Sequence, residues 1–304
     1  MIVQGLRVAA LFLGYGAVGM GGDYAVEALG RALAEDDVHV RVDRVVDASV
    51  EVDRRVRWDD DDCRYEATRT VALDVGAARA LLVRAGSGEL EVEGRAGLAR
   101  VEAVARACAS DEEDLASLLL TLGREGSDLV LEAHYPDRSG RRSWEGNRYA
   151  RLDLVVQMPL GMDVDVSDSS GGMIVSGTGA LDIDDSSGSI SVRDAAGPVT
   201  IDDSSGEVEV EGVQGDLEIS DGSGEIDVSG VEGSVRIRDG SGSVELEDVG
   251  RDVVILGDGS GSISVRDVGG DFQVRADGSG SIRYSGVAGT VDVPRDKRRD
   301  RRGG

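Results

Sequence analysis

The sequence predicts an all-β protein whose larger part is a parallel β-solenoid, a stack of coils of about 18 residues with two short strands per coil. Two markers that recur in step support this prediction. One is the tetrad Asp-Ser-Ser-Gly or Asp-Gly-Ser-Gly, which begins at Asp168, Asp185, Asp203, Asp221, Asp239, Asp258 and Asp277. The other is an apolar turn residue, found at Ala195, Val213, Val231, Val249, Val268 and Val287. Both recur every 17 to 19 residues, which indicates one repeating unit rather than a biased composition.

Within each unit, two segments alternate aliphatic and polar residues, as strands with one buried face do. The strand after the tetrad is expected to bury Ile190/Val192, Val208/Val210, Ile226/Val228, Val244/Leu246, Ile263/Val265 and Ile282/Tyr284. The strand before it is expected to bury Leu181/Ile183, Val199/Ile201, Leu217/Ile219, Val235/Ile237 and Val254/Leu256. These few side chains cannot offset the entropy cost of ordering a coil, so the units must stack around a shared core.

The tetrads themselves predict tight turns. Their last glycines tolerate a positive φ without steric cost, and the aspartate that opens each tetrad can accept a hydrogen bond from the backbone of its own turn. These glycines are Gly188, Gly206, Gly224, Gly242, Gly261 and Gly280.

Residues 1–34 are predicted to be a signal peptide or an N-terminal apolar segment. Arg7 precedes an uncharged, mostly apolar stretch from Val8 to Gly22, which is shorter than a membrane-spanning helix requires. An uncleaved anchor is the alternative, and it is the only route by which we expect membrane contact. Residues 35–62 then form an acidic spacer that ends in four consecutive aspartates.

Residues 63–160 are expected to form an N-terminal region of strands and one helix that leads into the solenoid repeats of residues 161–293. The helix is predicted at residues 111–122, with Ser110 and Glu113 as a capping box. Residues 294–304 are predicted to be a basic, disordered tail, because Pro294 stops the last strand and arginines follow it.

The charge and cysteine content exclude some classes of function. A net charge of −26 would repel a phosphate backbone, so no nucleic-acid partner is expected. Cys63 and Cys108 are too far apart in sequence for a CxxC motif and have no histidine cluster nearby, which excludes a structural zinc site. In an exported protein these two cysteines would form one disulfide, whereas otherwise they would be two buried thiols, and the sequence leaves both open.

The repeats resemble a bacterial family known as putative adhesins, which have β-solenoid repeats with a recurrent Gly-Asp pair. Here that pair is Gly215-Asp216 and Gly270-Asp271, while Arg251 separates Gly250 from Asp252. The resemblance runs from about Cys63 to Val293. It implies an extracytoplasmic location, at the cell surface, in the periplasm or secreted, and an adhesive or envelope-stress role. It implies no catalytic residues.

The outward side of the strands after the tetrads carries repeated carboxylates, at Glu207, Glu209, Glu225, Asp227 and Glu245. One hypothesis is a ladder that binds a divalent cation such as calcium, or a basic partner. The alternative is a solvated face that keeps solenoids from associating side to side. No cofactor is expected otherwise.

A column of serines that precede the turn glycines could suggest nucleophilic catalysis, but both histidines lie outside the repeats. Adjacent carboxylates such as Asp184 and Asp185 could suggest a polysaccharide-active enzyme, but neighbouring strand residues face opposite ways. We therefore predict a non-catalytic envelope or secreted scaffold that binds a surface polymer or protein. The alternatives are a membrane-anchored envelope-stress sensor and, less favoured, a polysaccharide-active β-helix enzyme.

Overall fold

The computed structural model describes residues 63–136 and 148–294. The signal peptide or apolar segment predicted for residues 1–34, the spacer at 35–62 and the tail after Pro294 lie outside the described residues. Within these two ranges, no helix has both the length and the apolar character needed to span a membrane.

The described chain forms strands in two large sheets and one short helix. The strands are β1 Tyr65–Asp74, β2 Ala80–Arg84, β3 Leu90–Arg95, β4 Arg100–Ala109, β5 Leu119–Glu125, β6 Asp128–His134, β7 Ala150–Pro159, β8 Asp163–Asp168, β9 Met173–Ser176, β10 Leu181–Asp185, β11 Ile190–Ala195, β12 Val199–Asp203, β13 Val208–Val213, β14 Leu217–Asp221, β15 Gly224–Val231, β16 Val235–Asp239, β17 Gly242–Val249, β18 Val253–Asp258, β19 Gly261–Val268, β20 Phe272–Val274, β21 Gly280–Val287 and β22 Val291–Asp292. The helix, α1, is Glu112–Ser117.

From β8 onward the chain winds as a parallel solenoid, which confirms the predicted fold. Among strands β8 to β22, the odd-numbered ones lie in sheet A and the even-numbered ones in sheet B, and each pairs in parallel with the equivalent strand one coil away. In sheet B, for example, Ile183 lies opposite Ile201, which lies opposite Ile219. Like residues therefore stack in columns, and one apolar core runs between the two sheets.

Burial confirms the predicted inward residues with two exceptions, which are β18 and the last coil, where Ile282 is partly buried and Tyr284 is exposed. In β18 the buried residues are Val253 and Ile255, not Val254 and Leu256. The pairing with β16 slips by one residue after Ile255, because this unit is one residue longer and Leu256 forms a bulge. The next sheet B strand, β20, buries Phe272, the largest of the fully buried side chains.

The turn glycines are required by close approach of the backbone as well as by their dihedral angles. Gly206 has φ of 151°, and a Cβ atom on it would overlap the carbonyl oxygen of Gly188 in the neighbouring coil. The same overlap recurs up the column, including at Gly261 and Gly280, for which the φ argument does not apply. Only a residue without a side chain lets the coils lie this close.

The N-terminal region is built into the same two sheets rather than beside them. Strands β2 and β3 form a coil that pairs in parallel with β8 and β9 on one side and with β6 and β7 on the other. The coil at residues 80–95 therefore lies between two coils that come later in the chain. Beyond β7, antiparallel strands β4 and β1 extend sheet A, and antiparallel β5 extends sheet B.

The predicted helix is shorter than residues 111–122 and has a different cap. Its N-cap is Asp111, not Ser110, and the Asp111 side chain accepts a hydrogen bond of 2.9 Å from the backbone N–H of Asp114. Leu118 is already extended, and the leucines after it belong to β5, which pairs with β6. Completion of sheet B overrides the helical spacing of these leucines.

The two ends of the stack differ. At the N-terminal end the core is covered by β1, β4, β5 and α1, and Cys63 is disulfide-bonded to Cys108, with 5.5 Å between the Cα atoms. At the other end the last coil has a neighbour on one side only. Tyr284 is consequently 50% exposed and Val291 36% exposed, although both lie in line with core positions.

Candidate binding face

The outward carboxylates predicted from the sequence lie on the exposed side of sheet A, on and just before β13, β15 and β17. We call these five residues the acidic face: Glu207, Glu209, Glu225, Asp227 and Glu245. Glu209, Asp227 and Glu245 lie directly opposite one another on consecutive strands. Because parallel strands are about 4.8 Å apart, three carboxylates form a straight row at that spacing.

Arginines lie at both ends of this row. Arg193 is 3.4 Å from Glu209, which also accepts a 3.1 Å hydrogen bond from the hydroxyl of Ser191. At the other end, Arg266 contacts Glu245 at 2.6 Å and the neighbouring Glu247 at 3.0 Å. These ion pairs are about half exposed, so each contributes little to stability. The arginines neutralise the ends of the row and leave its middle negative.

Asp227 is the centre of this negative potential. Partial burial raises its pKa, and the carboxylates of Glu245, Glu209 and Glu225 raise it further, while Arg266 acts in the opposite direction. Within the described ranges, no ion pair is formed by Asp227 or Glu225. The arrangement therefore favours a positively charged group placed over Asp227.

Beside the row, towards the N-terminal coils, lies an open groove of about 280 Å³. Its lining includes Glu89, Ile174, Arg193 and Glu207. Ile174 is 46% exposed and is the one exposed large aliphatic side chain among the described residues that line the groove. The groove adds an apolar contact next to the acidic face, and its openness suits an extended chain better than an enclosed small molecule.

The acidic face does not form a ready cation site. Within residues 63–136 and 148–294, no three His, Cys, Asp or Glu side chains are grouped so that they could hold a metal ion. A straight row of carboxylates offers one or two ligands at any point, whereas Ca²⁺ takes six to eight oxygens. A basic partner fits this geometry better than calcium.

Two of the serines that precede the turn glycines make structural hydrogen bonds between coils. Ser187 and Ser205 donate their hydroxyls to the backbone carbonyls of Ser169 and Ser186 in the preceding coil. His134 lies at the end of β6 and makes a 2.9 Å hydrogen bond with Thr121. The structure therefore does not bring this histidine to the serines.

Fold and face together define a β-solenoid repeat protein with a charged outer surface. Three solved structures are similar: a putative cell adhesion protein from Clostridium sporogenes (14% identity, 75% of this chain and 99% of that one, TM-score 0.31), a putative adhesin from Bacteroides fragilis (12%, 76% and 98%, TM-score 0.30), and a putative adhesin from Parabacteroides distasonis (9%, 76% and 97%, TM-score 0.32). These descriptions agree with the resemblance seen in the sequence. No protein-family model and no curated protein matches the chain. Similarity at TM-scores near 0.3 says nothing about function, which must follow from the residues.

Proposed function

We propose that this chain is a non-catalytic binding scaffold outside the cytoplasm, and that its acidic face holds a basic polymer or protein segment of the cell envelope or a host surface. The observation that carries this proposal is the row Glu209, Asp227 and Glu245, fixed at strand spacing with arginines only at its ends. An extended basic partner would place a cationic group over Asp227, the member of the row that forms no ion pair among the described residues. The stacked coils keep the row rigid, so little entropy is lost on binding.

An extracytoplasmic location is supported by the bond between Cys63 and Cys108, because structural disulfides persist mainly in oxidising compartments. The proposal of a non-catalytic role is supported by the hydroxyls of Ser187 and Ser205, which donate to backbone carbonyls, and by the opposite orientation of neighbouring carboxylates. Asp184 is exposed and Asp185 is buried, so they do not flank a common substrate position.

Binding of the full-length chain to immobilised poly-L-lysine, with poly-L-glutamate as the anionic reference, tests the face. The variant Glu209→Gln/Asp227→Asn/Glu245→Gln removes the row. A matched control, Asp182→Asn/Asp184→Asn/Asp202→Asn, removes the same charge from the exposed side of sheet B. We expect the first variant to lose about tenfold or more in affinity at moderate salt and the control to lose little.

Equal losses in the two variants would mean that net charge alone attracts the polymer, and the proposed face would be wrong. An unmodified chain that fails to bind the cationic polymer would also overturn it. Subcellular fractionation of the producing cell tests the location independently. Recovery from the periplasm, cell surface or medium supports a released scaffold, whereas recovery with the inner membrane supports the anchored-sensor alternative.

A further inference from the structure

A second set of carboxylates lies inside the solenoid. In the first six tetrads, the opening aspartate is the last residue of its sheet B strand, and its side chain points into the core. Adjacent members lie directly opposite each other, as Asp203 does with Asp221 and Asp221 with Asp239. We call this set the aspartate column: Asp168, Asp185, Asp203, Asp221, Asp239 and Asp258. Each is between 2% and 8% exposed, and Asp277 continues the column at the open end.

Each carboxyl in the middle of the column is only half satisfied. One oxygen of Asp203 accepts a 3.1 Å hydrogen bond from the backbone N–H of Ser205, and Asp221 and Asp239 make the equivalent bond at 3.1 and 3.0 Å. The second oxygen of each is buried and has no hydrogen-bond partner among the described residues. Asp185 is also half satisfied, because one oxygen accepts a hydrogen bond from the backbone N–H of Ser186 and the other has no partner among the described residues. An ionised carboxylate buried in this way is costly unless something compensates it.

No basic side chain of the described residues provides that compensation. The salt bridges of the described chain do not involve the column, and no metal-holding group of side chains occurs there. The charged and titratable groups that face the column are its own members, with Tyr135 near Asp168 at the N-terminal end, while Asp184 lies beside Asp185 but points outward. Asp202 and Arg238 are next in sequence but point outward, and the strands of sheet A present aliphatic residues inward.

We propose that the aspartate column binds protons, which carboxyls of successive coils share. A protonated carboxyl of one coil donates a hydrogen bond to the ionised carboxyl of the next, and the protons come from solvent. The solenoid is then a scaffold whose coils are held together more strongly as the surroundings become mildly acidic. This property does not depend on the partner of the acidic face.

The titration behaviour supports this geometry. Burial is the largest cause that raises the pKa of Asp168 to about 7, and those of Asp203 and Asp239 to about 6. Neighbouring carboxyls of the column add to the effect in all three. The Asp258 carboxyl raises the pKa of Asp239, whereas Asp239 lowers the pKa of Asp258, and these opposite directions are expected when one carboxyl of a neighbouring pair is protonated and the other is ionised.

The sign of the pH dependence follows. The folded-state pKa values lie above 3.8, the ordinary value, so the folded chain holds protons that the unfolded chain releases between about pH 4 and pH 7. The stability due to the column is therefore complete below about pH 4 and is lost as the pH rises through about 6 to 7. Loss of surface charge also changes stability over this range, so a matched control is needed.

The neighbours Asp202 and Asp203 provide it, because one faces water and the other faces the core of the same strand. Urea unfolding of the full chain at pH 8 and pH 5 is compared for the unmodified protein, Asp203→Asn and Asp202→Asn. Each variant loses one carboxylate, but only Asp203→Asn removes a member of the column. For each variant we take the ratio of the folding equilibrium constant at pH 5 to that at pH 8. We expect this ratio to be about tenfold smaller in Asp203→Asn than in Asp202→Asn. Equal changes in the two variants would overturn the proposal.

Infrared spectroscopy of the folded, unmodified protein gives a readout that does not require a variant to fold. Near pH 5.5, carboxyls with ordinary pKa values are largely ionised, so the part of a protonated-carboxyl band that is lost in Asp203→Asn comes from the column. We expect this band to be present at pH 5.5, to decline towards pH 8 and to weaken in Asp203→Asn. A folded protein without the band at pH 5.5 would show that the column is fully ionised and the proposal wrong.

Discussion

The repeats and the N-terminal region contribute strands to the same two sheets, but they find their partners by different means. In the repeats, each strand pairs with the equivalent strand about 18 residues away, and aliphatic residues meet aliphatic residues in every coil. In the N-terminal region, β1 pairs antiparallel with β4, and β2 lies between β6 and β8. The repeat length of the sequence therefore determines strand pairing only where the neighbouring strand belongs to another copy of the repeat.

Replacement of a turn glycine should have the largest effect on stability, and it tests the difference between the repeats and the N-terminal region. Gly206→Ala should lower the free energy of unfolding by about 4 kcal/mol or more, because the new Cβ would overlap the backbone of the next coil. Gly97→Ala in the N-terminal region is the control, since Gly97 has φ of 84° but no atom within 4 Å of the added Cβ. The control should lose only about 1 kcal/mol. Urea unfolding measures both, and similar losses would mean that dihedral strain rather than coil contact requires the glycines.

A core substitution in the middle of the stack should have the next largest effect. Ile237→Ala removes a fully buried side chain with coils on both sides and should cost about 3 to 5 kcal/mol. Ile282→Ala in the last coil removes a partly buried side chain with one neighbouring coil, so a loss of about 1 to 2 kcal/mol is expected. If thermal or urea unfolding gave equal losses, the C-terminal end would have to be covered in solution.

The disulfide should have a smaller and more local effect. Cys63→Ser opens a link that spans 45 residues and should cost about 2 to 3 kcal/mol, mainly by restoring freedom to the unfolded chain. We choose Cys63 because Cys108 is buried and its replacement would also disturb packing. Hydrogen exchange should become faster in β1 and β4 and remain unchanged in β14 and β16. Faster exchange throughout the coils would contradict the separation of the two regions.

Much of the repeat region could be predicted from the sequence, because the alternation of aliphatic and polar residues is consistent with only one assignment of inward and outward positions. The columns from Ile190 to Val265 and the turn residues were predicted correctly. The burial of Val253 and Ile255 in place of Val254 and Leu256 could not be predicted from the sequence. An added residue can be accommodated at several points of a coil, and only pairing with the neighbouring strand shows that Leu256 forms the bulge. Predictions on the acidic face remain to be tested, although its residues lie together as expected.

The sequence does not predict structural features that depend on contacts with distant parts of the chain. The helix prediction was wrong beyond Ser117 because leucines with helical spacing complete an edge of sheet B. The tetrad aspartates were interpreted as turn residues, and their backbone hydrogen bonds agree with that role. Their burial in a column follows only from stacking, which brings each carboxyl against its own copy. A strict alternation count would have placed them on the inward face with Leu181 and Ile183.

The coil formed by β2 and β3 has a consequence for how the molecule assembles. Its partners in both sheets are β6 to β9, so residues 80–95 cannot complete their pairing until residue 176 has been synthesised. The stack therefore cannot grow one turn at a time from its first strand. Deletion of this early segment would also open a gap between later coils instead of shortening the rod from its end.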